Sequence, residues 1–280
     1  MGGPHLIATR AAGRLGTCNI CGAYEEMTED HVPPKSCYRP SQMELRTIHA
    51  RVSVEKFAGS PGPRKSQNGI KFKTLCRRCN NELLGLNYDP ELVKFVNAIS
   101  AFLRTEITLP EEVGIEIRPQ YFMRAVLGHL AAVGVDRYLK GDDTEPFKEY
   151  MLDISKPLPE GFKFFYWLYT EKNHVLIRDA GMIAGTEPVI FWLLKFFPIA
   201  FFITRSGSVP RWRAPVLSLD PWRNLGAEDI CTVPVRLTPI PHPLWPETPT
   251  HGSDAIMYSR DAYEVAAVAS RPKLLNFRRR

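Results

Sequence analysis

The sequence predicts an α+β protein in which a small cysteine-containing module precedes a larger mixed α+β domain. Residues 17–80 contain two C-x-x-C pairs and lead into a helical pattern, whereas aromatic and β-branched runs begin at about residue 160. A hydrophobic content of 44% with 24% charged residues is typical of a folded chain and excludes wholesale disorder. We therefore divide the sequence into a basic tail (1–16), a module with its following helices (17–110) and a C-terminal domain (111–280).

The positive charge is concentrated at the N-terminal end of the chain. Residues 1–80 contain 13 basic and 6 acidic side chains, whereas residues 81–280 contain 23 and 24. A basic module beside a neutral remainder favours a polyanionic partner, most often nucleic acid, although a merely basic surface gives the same imbalance. The tail lacks the continuous apolar core of a secretory signal, so we expect a cytoplasmic protein.

Four of the six cysteines form two short pairs, Cys18 with Cys21 and Cys76 with Cys79. A C-x-x-C turn presents two thiolates to one ion, and two such turns complete the four-sulfur tetrahedron of a structural zinc site. Paired C-x-x-C units without a secretion signal favour zinc over disulfides. The sequence therefore predicts a structural Zn²⁺ that closes the excursion of residues 22–75.

Two polar motifs adjoin the cysteine pairs. Glu29, Asp30 and His31 precede two prolines, and Asn80 follows Cys79 directly. If one ion joins the pairs, both motifs come to one side of the module and offer a carboxylate, an imidazole and a carboxamide. Such oxygens suit Mg²⁺, and a neutral imidazole can deprotonate an attacking water. Taken singly, each motif has a simpler explanation, a solvated turn or a helix N-cap.

Residues 18–85 resemble an HNH endonuclease, the ββα-metal fold, through the ordered stretches CNIC, EDHVPP and LCRRCNNELLG. The resemblance implies a metal-dependent nickase or double-strand cutter that hydrolyses DNA phosphodiester bonds. It makes His31 the general base, Asp30 and Asn80 the ligands of a catalytic Mg²⁺ or Mn²⁺, and the cysteines the structural zinc site. The family's central asparagine normally lies a few residues before the second C-x-x-C. Here the nearest asparagine is Asn68, eight residues before Cys76.

Basic residues around this centre are predicted nucleic-acid contacts. Lys35 follows the DHVPP turn and is placed to contact the scissile phosphate. Arg77 and Arg78 lie between the second pair of cysteines, where they either grip the nucleic-acid backbone or balance the thiolate charge. Arg64 and Lys65 lie in a segment rich in turn formers, predicted to be an exposed loop that makes non-specific phosphate contacts. DNA is the expected partner, with RNA as the open alternative.

The helical pattern begins after Cys79. Residues 81–106 have leucine and valine at three- and four-residue steps, with a new helix start at Pro90. Pro110 to Gly114 break the pattern, and we place the domain boundary there. A second helix is predicted over residues 119–140, beginning at a proline and ending at a glycine.

The pattern becomes β-like from about residue 160. The runs FKFFYWLYT, HVLIRD, VIFWLLKF and IAFFITRS predict four strands. Residues 188–204 are too short to span a membrane and contain Lys195 and Pro198, so we expect two buried strands and no membrane partner. The six prolines of residues 233–249 predict an extended segment, and a final helix is predicted over Asp261–Ala267.

Residues 111–280 contain no motif that we can connect to chemistry. A nuclease module joined to such a domain suggests cutting that is regulated or targeted, with a protein activator as a further partner. By resemblance, similar architectures occur among prokaryotic phage-defence nucleases and mobile elements. The rival interpretation is a zinc-stabilised, non-catalytic DNA-binding or adaptor protein.

Overall fold

The structure, a computed structural model, describes most of the chain and leaves out the first 13 residues. The described residues are 14–38, 42–48, 64–105, 108–135, 137–138, 143–183, 188–205, 214, 216–248 and 255–267. They form an α+β fold with more strand than helix, so the fold class predicted from the sequence is confirmed.

A three-stranded antiparallel sheet carries the N-terminal motifs. Its strands, in spatial order, are β1 (Arg14–Thr17), β2 (Tyr24–His31) and β5 (Lys71–Cys76). The register pairs His31 at the end of β2 with Lys71 at the start of β5. Since β2 starts just after Cys21 and β5 ends at Cys76, the pairing of these strands brings the two cysteine pairs together.

Helices lie beside this sheet, and α3 is the most deeply buried of them. The helices are α1 (Arg78–Tyr88), α2 (Asp89–Leu103), α3 (Pro119–Ala132) and α4 (Thr144–Leu152). α1 has wide π-type turns and continues directly into α2, whose first turn contains Pro90, so the predicted start at this proline is confirmed. α3 ends before the predicted residue 140 because Val133 is extended and Gly134 has a φ of +86°. Nearly all side chains of α3 are buried.

Nine of the described strands form one large antiparallel sheet. Its spatial order is β11, β7, β10, β9, β8, β14, β3, β4, and β13 also pairs with β8. The strands are β3 (Met43–Thr47), β4 (Arg64–Ser66), β7 (Lys163–Leu168), β8 (His174–Ile183), β9 (Pro188–Phe196), β10 (Ile199–Thr204), β11 (Leu217–Ser218), β13 (Ala255–Met257) and β14 (Ala262–Ala267). The four strands predicted from aromatic and β-branched runs are confirmed as β7 to β10. A separate antiparallel pair joins β6 (Glu112–Ile117) to β12 (Cys231–Arg236).

The large sheet joins residues from both sides of residue 110. β3 and β4, from the first third of the chain, extend the sheet beyond β14. One cluster of buried apolar side chains likewise runs from Cys18 to Val265. Residues 188–204 form β9 and β10 as predicted, and among the described residues no helix has the length and apolar character to cross a membrane.

The predicted helix at Asp261–Ala267 is wrong, because β14 occupies this segment. Tyr263 and Val265 lie two residues apart along this segment and are both buried. This spacing matches the two-residue period of a strand. β14 pairs with β8 on one side and β3 on the other, so ladder hydrogen bonds from distant segments decide its conformation.

The predicted extended segment 233–249 is correct only at its start. Residues up to Arg236 belong to β12, but residues 243–247 form turns. Lys195 of β9 fixes these turns: its buried Nζ lies 2.8 Å from each carboxylate oxygen of Glu247 and donates to the Pro243 carbonyl at 2.6 Å. The charge that interrupts the apolar run of β9 is therefore paired inside the fold.

Candidate functional site

The four predicted cysteines form one cluster. Their sulfur atoms all lie within 4.8 Å of one another, and those of Cys21 and Cys76 are 3.7 Å apart. The backbone N–H of Cys79 donates to the sulfur of Cys76 at 3.5 Å. Four sulfurs at these distances are close enough to hold a metal ion such as zinc, as the sequence predicts.

The first cysteine turn needs a glycine at its end. Gly22 donates its N–H to the Cys18 carbonyl at 3.0 Å and has a φ of +76°, which L side chains rarely adopt. A Cβ atom here would lie 2.7 Å from the ring of Tyr138. The turn that aims two sulfurs at one point is therefore fixed both by its backbone and by a contact from outside the module.

Asn19, between the first two cysteines, connects this turn to α3. Its side-chain nitrogen donates to the carbonyls of Ala131 at 2.9 Å and Gly134 at 2.8 Å, and its Oδ1 accepts from the N–H of Arg137 at 2.9 Å. Thr74 of β5 donates to the Ala132 carbonyl at 2.6 Å. Carbonyls at the end of a helix lack intrahelical partners, and here the cysteine module supplies the missing donors.

Asn80 lies in the first turn of α1 and is buried against β2. Its amide nitrogen donates to Thr28 Oγ1 at 2.8 Å and to the Glu29 carbonyl at 3.0 Å. Because a carbonyl can only accept, the nitrogen must be the atom that faces Glu29, and this fixes the amide orientation. The Oδ1 atom of Asn80 accepts no hydrogen bond from the described residues. Because Glu29 directly precedes Asp30, the contact of Asn80 with the Glu29 carbonyl lies one residue from Asp30.

The carboxylate of Asp30 is buried and faces His129 of α3. Its Oδ2 lies 3.2 Å from His129 Nδ1, and His129 Nε2 lies 2.8 Å from Oδ1 of Asp89 in α2. Burial alone would lower the pKa of His129, but the Asp89 and Asp30 carboxylates outweigh it and raise this pKa to about 10. Burial raises the pKa of Asp30 above its ordinary value, although His129 acts against this shift. Within the described residues, the second oxygen of Asp30 makes no hydrogen bond.

His31 ends β2 next to Asp30 and is half-buried. Its Nε2 is shielded from solvent and has no hydrogen-bond partner among the residues that the structure describes. Burial lowers the pKa of His31 below its ordinary value, and the positive charges of Lys71 and Lys35 lower it further. Asp30 and the backbone carbonyl of Asn68 act in the opposite direction. The imidazole is therefore neutral at pH 7 and has a free lone pair.

Asn68, the asparagine nearest to the family's central position, and Glu29, the acid before Asp30, both make contacts of their own. Asn68 contributes its backbone carbonyl to His31 and has a φ of +62° in the turn between β4 and β5. The Glu29 carboxylate points to two lysines, with an Oε2 to Lys71 Nζ distance of 3.1 Å and an Oε1 to Lys73 Nζ distance of 3.9 Å.

The basic residues predicted to contact nucleic acid are all exposed. Lys35 begins the short 3₁₀ turn that follows His31 by two prolines and a valine, and Arg77 and Arg78 stand at the entry to α1. Arg64 and Lys65 lie on β4, the edge strand of the large sheet, and not on the predicted loop. The sequence pattern missed this strand because it is only three residues long and its pairing partner, β3, is distant in sequence.

His129 and Asp89 are not among the residues that the sequence pattern singles out. His129 lies 99 residues from Asp30 and has no ligand-like neighbour in sequence. The available signal was a single titratable imidazole on an otherwise apolar helical face.

A scan of protein-family models, a search of curated proteins and a search of solved structures each find no match to this chain.

Proposed function

We propose that this protein is a metal-dependent endonuclease of the HNH type that hydrolyses phosphodiester bonds in DNA. β2, β5 and α1 would form its ββα-metal module, with the four cysteines as a structural zinc site. The observation that carries the proposal is the arrangement around Asn80. Its amide nitrogen donates to Thr28 and to the Glu29 carbonyl, which ties the first turn of α1 to β2 directly before Asp30 and His31.

The residues present fit a hard divalent cation. Asp30 and Asn80 each keep one oxygen that is not used in hydrogen bonds with described residues, and these would hold Mg²⁺ or Mn²⁺ with water completing the shell. When bound, the cation would neutralise charge that develops on the phosphate oxygens. The donor set is oxygen only, whereas the cysteine cluster is sulfur only, so the two sites would select different metals.

His31 would act as the general base. Nε2 is shielded from solvent in the structure, so binding of the nucleic acid would have to open a path for one water molecule to this atom. The neutral imidazole would then take a proton through Nε2 from that water, whose oxygen attacks the phosphorus atom. The bond to the leaving sugar oxygen would then break, and that oxygen would gain a proton from solvent. The hydrogen bond from His31 to the Asn68 carbonyl would fix the ring orientation and leave Nε2 as the nitrogen that accepts the proton.

Exposed cations would hold the nucleic-acid backbone. Lys35 would contact the scissile phosphate, and Arg77 and Arg78 would contact neighbouring phosphates from the entry of α1. Arg64 and Lys65 on the edge strand β4 would add non-specific contacts. The part of the chain beyond residue 110 would regulate or target cutting, as in a defence or mobile-element nuclease.

The experiment is a nicking assay on supercoiled plasmid with Mg²⁺ or Mn²⁺, with and without EDTA. The zinc-loaded parent should nick the plasmid only when the divalent cation is present. His31→Ala should lose at least about 100-fold in rate, the lower range for loss of a general base. His242→Ala, which removes an exposed histidine outside this module, should nick like the parent.

One observation favours the rival function, a non-catalytic DNA-binding or adaptor protein. The Asp30 carboxylate is already engaged by His129, which a purely structural ion pair would also explain. If parent and His31→Ala bind DNA equally and neither nicks DNA or a matched RNA under any metal condition, the adaptor is the better account. Nicking of the RNA alone would replace DNA by RNA as the substrate.

A further inference from the structure

We propose that His129 and Asp89 are positioning residues for the divalent-cation site, in that they orient the carboxylate of Asp30 from outside the HNH-like segment. This inference rests on the proposed function, because it needs Asp30 to be a metal ligand. It extends the site from β2 and α1 to α2 and α3.

The side chains of Asp30, His129 and Asp89 lie in a row. His129 lies between two carboxylates, with Nδ1 3.2 Å from Asp30 Oδ2 and Nε2 2.8 Å from Asp89 Oδ1. Both ring nitrogens face groups that only accept hydrogen bonds when ionised, so each nitrogen donates. One oxygen of Asp30 is therefore occupied and the other is left for a ligand.

Burial makes the pair of His129 and Asp30 rigid. His129 and Asp30 are almost completely buried, with side-chain exposures of 1% and 4%, so neither can rotate into solvent. Asp89 lies in the first turn of α2, directly after α1, which carries Asn80. One continuous helical segment, α1 with α2, therefore carries both Asn80, a proposed ligand, and Asp89, which holds His129. His129 in turn orients Asp30, the other proposed ligand.

Removing His129 would leave the buried charge of Asp30 unsatisfied. A carboxylate buried beside apolar side chains is unfavourable unless it is paired. His129 supplies that pairing through Oδ2 of Asp30, and Oδ1 keeps no hydrogen bond to a described residue. A neutral apolar residue at position 129 would leave Asp30 to protonate or rotate, and in either form it would bind a cation poorly.

If His129 only held α3 against β2, its loss could also weaken metal binding by loosening the helix. The test therefore needs a matched control. Thr74→Val provides it. The Thr74 hydroxyl connects β5 to the last turn of α3 through the Ala132 carbonyl, and Thr74 is as buried as His129. Loss of this bond weakens the same helix contact without touching Asp30.

The experiment measures Mn²⁺ binding by electron paramagnetic resonance on full-length, zinc-loaded protein, with zinc content and thermal melting recorded for each variant. His129→Leu should raise the Mn²⁺ dissociation constant about 10- to 100-fold, the range for loss of a group that orients a metal ligand. His129→Gln, which keeps one N–H donor, should recover part of this affinity. Asp89→Asn should have an intermediate effect, and Thr74→Val should bind Mn²⁺ like the parent.

The outcomes separate the two claims. If the parent binds Mn²⁺ in a manner that Asp30→Asn abolishes, but His129→Leu binds it equally well, the positioning role is refuted and the metal site stands. An equal loss of affinity in Thr74→Val and His129→Leu at similar melting temperatures would also refute it, since general loosening of α3 would suffice. If the parent shows no Mn²⁺ binding that depends on Asp30, both the positioning role and the proposed function are overturned.

Discussion

Replacing Asn19 by alanine should detach the cysteine turn from the end of α3. The change removes three hydrogen bonds without altering any sulfur: buried bonds to Ala131 and Gly134 and a partly buried one from Arg137. A net value of about 1 kcal/mol per bond gives a loss of roughly 3 kcal/mol in the free energy of unfolding. For a chain of this size, each kcal/mol lowers the melting temperature by about 2–4 °C, so we expect a fall of roughly 6–12 °C.

The assay is thermal melting with zinc content measured on the same samples. Zinc should stay at the parental ratio, because Cys18 and Cys21 are intact. Asn87→Ala is the control, since its amide makes one exposed bond to the Glu82 carbonyl at 3.0 Å, and its melting temperature should change by less than about 2 °C. A parental melting temperature in Asn19→Ala would refute the idea that this residue couples the module to α3.

Three further predictions concern the base, the zinc site and the buried lysine. The nicking rate should rise with pH and reach half its plateau below about pH 6.5, because the pKa of His31 is lowered and the imidazole is neutral above that pKa. A midpoint above about pH 7 in a pH–rate profile would contradict this. Cys76→Ser or Cys79→Ser should release zinc and unfold the N-terminal module, as seen by metal analysis and circular dichroism, and a variant with normal zinc would exclude that cysteine as a ligand. Lys195→Met should cost about 3–5 kcal/mol in a denaturant titration because it leaves the Glu247 carboxylate buried without its cation, and a loss below about 1 kcal/mol would show that this pair contributes little.

The parts of the fold that the sequence predicts are those with strong local signals. Cysteine spacing is enough to predict the four-sulfur cluster, because a C-x-x-C turn fixes the relative position of its sulfurs. The aromatic and β-branched runs of β7 to β10 are buried on both faces and retain their pattern in any register. By contrast, DAYEVAA at residues 261–267 suits a helix or a strand, and only pairing with β3 and β8 decides between them.

The candidate site divides in the same way. Asn80 follows Cys79 directly, and Asp30 and His31 end the strand that begins just after Cys21, so the pairing of β2 with β5 brings both motifs into one module. His129 joins them only because α3 packs against β2, a contact between residues 99 positions apart. No local pattern encodes such a contact, because it depends on how the helix docks. The hydrogen bonds from Asn19 to the end of α3 could not be predicted from the sequence for the same reason.

The most direct test of the central claim is metal-directed cleavage of the protein itself. Fe²⁺ would replace Mg²⁺ in the zinc-loaded chain, and ascorbate with hydrogen peroxide would generate hydroxyl radicals that cut the backbone near the bound iron. We predict cuts near Asp30 and near Asn80, suppressed by excess Mg²⁺ and absent in Asp30→Asn. Cuts that persist in Asp30→Asn, or that lie only elsewhere in the chain, would contradict the claim that these two residues hold a divalent cation beside His31.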